Sequence, residues 1–229
     1  MTKIMTALLT IENLPDLNET ITVPEDIFEE LTAQDASVAG FNPYEQPMVR
    51  DLLYGVLLPS GADACETLAR AVGGSEEGIV AMMNQKAEEL GLTNTHFENC
   101  TGLHNDNHYS TCRDIAVLMS ECLKSDTFRE IVTREVYTTE ATASHPEGIT
   151  LYDTMLHRFT SYEMSTTLEN GAVIEGGKTG FTDEAGQCLV SFAEYGGEEY
   201  ILVTAEAMTD SGSAVDSIAD ASTVYGRLQ

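Results

Sequence analysis

Three short clusters hold side chains able to do chemistry. Thr2-Lys3 lies in Met1-Thr2-Lys3-Ile4-Met5-Thr6-Ala7-Leu8, Ser60-Gly61-Ala62 follows Pro59 at a turn, and Lys178-Thr179-Gly180 follows Gly176-Gly177. Lysine offers an amine that holds or takes a proton, and serine and threonine offer hydroxyls that attack or relay one. Only 11 Lys and Arg occur in 229 residues, and two of them stand in these clusters. Each cluster alone has a plain reading. Lys3 is a surface lysine at a helix start, Ser60 is a helix N-cap, and Lys178–Gly180 is an exposed strand end. The two glycines before Lys178 argue instead for close backbone approach. Thr2 could be an N-terminal nucleophile after methionine removal, but one residue carries little weight. His104, Asp106 and His108 offer metal donors without recognisable zinc spacing, so no metal is expected.

The elements around these clusters follow from periodicity and breakers. Met1–Asn13 reads as a helix with an Ile4, Met5, Leu8, Leu9 stripe, stopped by Pro15, and it starts with no residue to cap it. Thr20–Val23 alternates like a short strand, and a brief helix runs from Pro24 to Leu31. Helices are predicted over Pro47–Leu58 and Ala62–Val72, then from Ser75 to the stop at Gly91. Polar Thr93–Ser110 reads as a long ordered loop before a helix that ends near Leu123. Thr133–Thr138 and Ala172–Thr179 read as strands. Gln187–Glu194 and Glu199–Ala207 form a hairpin about Tyr195-Gly196-Gly197, and Ser213–Leu228 is a closing helix. The expected fold is α/β (α+β): one mainly antiparallel sheet with helices on both sides and a helical subdomain.

Charge narrows the partners. Eleven Lys and Arg against 38 Asp and Glu give a net charge of −27, so nucleic acid and anionic lipid are excluded as charge-driven partners. The longest apolar run, around Leu52–Pro59, is far short of the roughly 20 residues of a membrane span. The zones of a signal peptide are not visible at the start. Cys65, Cys100, Cys112, Cys122 and Cys188 have no metal or framework spacing and read as buried small hydrophobes, at most a chance pair.

Longer segments make the clusters specific. Asn84-Gln85-Lys86-Ala87-Glu88-Glu89-Leu90-Gly91-Leu92-Thr93-Asn94-Thr95-His96-Phe97, Gly102-Leu103-His104, and His108-Tyr109-Ser110-Thr111 closely resemble low-molecular-mass penicillin-binding proteins. So do Arg50–Gly61 and Gly177-Lys178-Thr179-Gly180-Phe181-Thr182. These are serine-type D-alanyl-D-alanine carboxypeptidases, whose S-x-x-K, S-x-N and K-T-G motifs come in this order. The resemblance implies the β-lactamase/DD-peptidase transpeptidase-like fold and hydrolysis of D-Ala-D-Ala stem peptides through an acyl-enzyme. It also implies no cofactor, inhibition by β-lactam antibiotics, and a place outside the cytoplasmic membrane.

Residue by residue, Lys3 matches the lysine of the first motif. Its serine would stand directly before Met1, so the chain is expected to be one N-terminally incomplete domain over 1–229, with its first strands missing, no C-terminal β domain, and no activity as written. A pseudoenzyme that still binds stem peptides is the alternative. Ser60 resembles the proton-relaying serine of the second motif. Lys178 and Thr179 resemble the residues that hold the substrate carboxylate, and Gly180 the glycine beside it. The N–H of Phe181 resembles half of an oxyanion hole. Ala62 departs from the pattern, where the family has Asn. A β-lactamase is disfavoured because no E-x-x-L-N lies between the second and third motifs.

Overall fold

The structure, a computed structural model, describes residues 1–207 and 215–229. Its order is α1 (Lys3–Asn13), α2 (Ile27–Ala33), α3 (Val49–Leu57), α4 (Ala62–Gly73), α5 (Glu76–Glu89), α6 (Cys112–Cys122) and α7 (Asp126–Val132). Then come β1 (Val136–Thr138), β2 (Thr150–Tyr152), α8 (Thr154–Ser161), β3 (Val173–Thr182), β4 (Gly186–Tyr195), β5 (Glu198–Ala207) and α9 (Asp216–Tyr225). Strands β3, β4 and β5 form an antiparallel sheet in that order, while β1 and β2 pair separately.

Strand β4 explains the layers. Successive side chains of a strand point to opposite faces. Val190 and Phe192 join the core built from α1 and α3–α7, while Leu189 and Ala193 join a second core with α8 and α9. Helices therefore cover both faces, as the sequence reading expects, and β4 is apolar in both parities. On the second face the Tyr225 hydroxyl donates to the Ser191 carbonyl at 2.8 Å, seating α9 on the sheet.

The predicted helices form with their caps. Ser75 Oγ accepts from Gly78 N at 3.1 Å, and Thr111 Oγ1 from Asp114 N at 3.2 Å. The hairpin turns at Gly196 and Gly197, both at positive φ, where glycine has no Cβ to strain. Other expectations need correction. Thr20–Val23 forms no regular strand: it holds the 44–48 stretch through the Thr20–Met48 bridge and bonds such as Ile21 N to the Pro47 carbonyl and Val23 N to that of Glu45. Short β2, α7 and α8 escape the periodicity argument, because three residues show no alternation and helices of seven or eight hold too few turns. The start of the predicted closing helix, Ser213–Ala214, lies outside the described residues. Cys65, Cys100 and Cys122 are buried, but Cys112 is exposed and Cys188 half-buried.

Asp63 holds α4 to the segment in front of it. Fully buried, it accepts from Ala39 N (2.7 Å) with Oδ1, and from Gly40 N (2.9 Å) and Phe41 N (3.0 Å) with Oδ2. Asp63→Ala strands three backbone donors behind Ser60. We expect a loss on the order of 3–5 kcal/mol in urea unfolding, with Asp63→Asn intermediate. A change below about 1 kcal/mol would contradict this anchoring role.

Candidate active site

Alternation along β3 sorts the third cluster. Gly176, Lys178 and Gly180 pair with Phe192, Val190 and Cys188, which places them on one face, while Gly177 and Thr179 pair with Ser191 and Leu189 on the other. Lys178 is 1% exposed and donates to the Thr179 carbonyl at 3.3 Å. Burial, then the charge of nearby Lys3, pulls its ammonium down to about 7, against the attraction of Asp153. Asp153 is buried as well, and burial lifts its carboxyl to about 7, although its Oδ1 accepts from Met155 N and Leu156 N at the start of α8. Both groups move toward their neutral forms, because a low dielectric penalises either charge.

The glycines divide by function. A Cβ on Gly176 would fall 2.4 Å from the Val132 carbonyl oxygen, and one on Gly177 would fall 2.3 Å from that of Val190. These two are glycines for packing within the fold: the close backbone approach expected before Lys178 is made by the Val132 and Val190 carbonyls. Gly180 alone faces the first cluster: its Cβ position lies 3.2 Å from the backbone nitrogen of Met1.

Lys3 sits in the first turn of α1, 8% exposed, and Nζ donates to the Thr101 carbonyl at 2.7 Å. A surface lysine would not be buried in this way. Thr6, one turn on, donates to the Cys100 carbonyl at 2.8 Å, so α1 and the 99–102 segment are tied twice. Thr179 hydrogen-bonds Thr154 through their hydroxyls at 2.6 Å.

Ser60 has φ +65°, a left-handed conformation that costs a non-glycine residue energy. Its neighbours enforce the turn. Gly61 N donates to the Gly55 carbonyl at 2.8 Å and Ala62 N to that of Ser37 at 2.7 Å. Gly61, not Ser60, is the N-cap of α4. Ala62, at the third position of its motif, is buried at 1% exposure and serves as packing.

A cavity of about 440 Å³ opens beside Gly180 and Phe181 and is walled by residues 102–112. Phe181 is 56% exposed at its rim. His108 holds this wall to α1: Nδ1 accepts from Glu98 N at 3.2 Å, and Nε2 meets Thr2 Oγ1 at 2.8 Å. Because Nδ1 accepts, Nε2–H donates to Thr2, and neither nitrogen is open to a metal. Thr2 is likewise tied into this wall, 7% exposed. His104 bridges Asp106 (3.3 Å) and Glu184 (3.5 Å) across the cavity mouth. Sequence reasoning missed Thr101, Asp153 and Thr154. Asp153 alone left a signal, a capping residue ahead of α8.

The D-alanyl-D-alanine carboxypeptidase family pattern matches residues 1–209. The chain is similar to the D-alanyl-D-alanine carboxypeptidase DacF of Bacillus subtilis, 34% identical over 210 residues, which cover 91% of this chain and 51% of that one. A Streptomyces D-alanyl-D-alanine carboxypeptidase is 36% identical over 208 residues, 87% of this chain and 69% of its own. The crystal structure of a Streptomyces DD-transpeptidase superposes with a TM-score of 0.81 at 31% identity, covering 98% of this chain and 85% of that one. The chain thus spans about half the length of the Bacillus relative.

His108 supplies a pH test of the wall. Burial lowers its pKa to about 4. An imidazole depressed from about 6.5 stabilises the fold above that value, and the contribution is lost as pH falls toward 4. The His108 ring resonances should titrate below pH 5 by NMR. A midpoint near 6.5 would mean that the ring is solvated and the wall open.

Proposed function

This chain belongs to the D-alanyl-D-alanine carboxypeptidase family, and from that membership we propose that residues 1–229 are its serine-type catalytic domain. The domain removes the terminal D-alanine from peptidoglycan stem peptides, outside the cytoplasmic membrane. One observation carries the reading. The start of α1 meets β3 at Gly180, with buried Lys178 on the same face of the strand and near Lys3. A serine directly before Met1 would enter between the two lysines, at the mouth of the cavity.

The chemistry follows from the groups around that point. The serine oxygen attacks the carbonyl of the penultimate D-alanine, and its proton passes to Lys3 Nζ, which the Thr101 carbonyl orients. The N–H of Phe181 and the serine's own N–H receive the developing oxyanion. Ser60, fixed in its strained turn, relays the proton to the departing amine. Lys178 and Thr179 hold the terminal carboxylate, which is the charge that draws Lys178 back to its protonated form on binding. Water then cleaves the acyl-enzyme. A β-lactam enters the same path and stays as the acyl group. No metal or organic cofactor takes part in these steps.

Two outcomes test this. Incubated with a labelled penicillin, a polypeptide of residues 1–229 should form no covalent adduct by intact mass. The same chain extended upstream with the serine should form one per chain. An adduct on the unextended chain, at Ser60 or Thr2, would overturn the assignment. In the extended chain Lys178→Ala should lower kcat/KM for a D-Ala-D-Ala peptide by about 1.5–3 kcal/mol of transition-state stabilisation. Unchanged kcat/KM would remove Lys178 from the site.

A further inference from the structure

Against the same run of carbonyls that anchors Lys3, two cysteines far apart in sequence meet. Cys65 lies in the second turn of α4 and Cys100 in the segment leading to Thr101, and both are fully buried. Cys65 Sγ donates to the Cys100 carbonyl at 3.0 Å, and Cys100 Sγ donates to Glu66 Oε1 at 3.1 Å. Each thiol thus bonds to the other cysteine's neighbourhood: Cys65 to the backbone of residue 100, and Cys100 to the residue after Cys65. Cys122 is engaged elsewhere, with the Ile4 carbonyl, and Cys188 with that of Ala185. Among the described residues, Cys65 and Cys100 are the two cysteines joined by a hydrogen bond, thiol to carbonyl.

We propose that Cys65 and Cys100 are a disulfide site, closing residues 66–99 into a covalent loop and clamping the segment that positions Lys3. The placement gives the bond its consequence. The Cys100 carbonyl receives both Cys65 Sγ and Thr6 Oγ1, and the next carbonyl, that of Thr101, receives Lys3 Nζ. A bond between the two sulfurs fixes α4 to this strip of carbonyls, and so fixes the acceptor of Lys3 Nζ. It forms by exchange with a small-molecule disulfide such as glutathione disulfide while the segment is still open to solvent. One cysteine thiolate attacks that disulfide and releases one thiolate, and the second cysteine thiolate then displaces the other. Two protein thiols are oxidised, the glutathione disulfide is reduced to two thiols, and the protons balance. After closure, burial shields the bond. In the reduced fold the neighbouring Cys65, then burial and Glu66, hold the Cys100 thiol far above its usual range and so unreactive. The oxidation state is therefore set while the segment is open and kept thereafter.

The 229-residue chain, approached both as native protein and from denaturant, is equilibrated across a series of glutathione to glutathione disulfide ratios. It is then quenched in acid and alkylated under denaturing conditions. On the oxidising side we expect a species lighter by about 2 Da before alkylation, a peptide joining Cys65 to Cys100, and alkylated Cys112, Cys122 and Cys188. The thermal midpoint should rise by roughly 4–10 °C over the reduced form, and amide exchange over 98–102 should slow. Cys65→Ser and Cys100→Ser should each abolish the mass change. Comparison of oxidised with reduced native chain gives the same answer where a variant fails to fold. Full alkylation of both cysteines at every ratio would overturn the proposal. So would a bond to Cys112, Cys122 or Cys188 in place of this one. One chelator-removable zinc per chain, held with Glu66 and Glu76, whose ligand atoms lie within 4.8 Å of Cys100 Sγ, would overturn it too.

Discussion

Two lysine side chains share one poorly solvated region, and much of the architecture follows from making that tolerable. Bringing like charges together inside a protein is costly unless polar partners replace water. Lys3 has a backbone carbonyl, Lys178 has a carbonyl and the longer-range attraction of the Asp153 carboxyl, and burial weakens the Lys178 charge itself. Each partner must then be held by something else. Asp153 is fixed by two amides of α8, and the Thr101 segment by its contacts with α1 and α4. The result is a region held short of full charge until an anion arrives, so that a carboxylate entering it returns Lys178 to its protonated form.

The sheet serves this arrangement through its alternation. Residues of one parity on β3 face α1, and residues of the other face α8. A shift of one residue would reverse the two sets and remove Lys178 from Lys3. The packing of Gly176 under Val132 and Gly177 against Val190 guards against that slip, since no other residue fits at either point without displacing backbone. The glycines of this cluster thus act mainly on register, and only Gly180 on access.

How much was legible in the sequence follows from the range of each signal. Long apolar periods and caps gave α1, α3, α4, α5 and α6, and the glycine pair gave the β4–β5 hairpin. Family motifs placed Lys3, Ser60 and Lys178 in one reading, although each is weak alone. What stayed hidden is what only tertiary contact creates. Thr101 offers a carbonyl, which every residue has. Asp153 is one of 38 acidic residues until burial beside Lys178 distinguishes it. Cys65 and Cys100 carry no spacing rule, so their meeting could not be read from the string.

The buried face of α1 bears on how the chain reaches this state. Ile4, Met5, Ala7, Leu8 and Leu9 are covered in the finished fold by helices that follow later in the sequence, and Lys3 approaches Lys178 only after some 170 intervening residues exist. During synthesis an amphipathic segment therefore leaves the ribosome long before its cover. Closing so long a loop costs conformational entropy and slows assembly. For that interval the apolar stripe of α1 is a natural target for a holding chaperone or for aggregation. A helix whose apolar face is fully covered in the mature fold is, in time, among its most exposed parts.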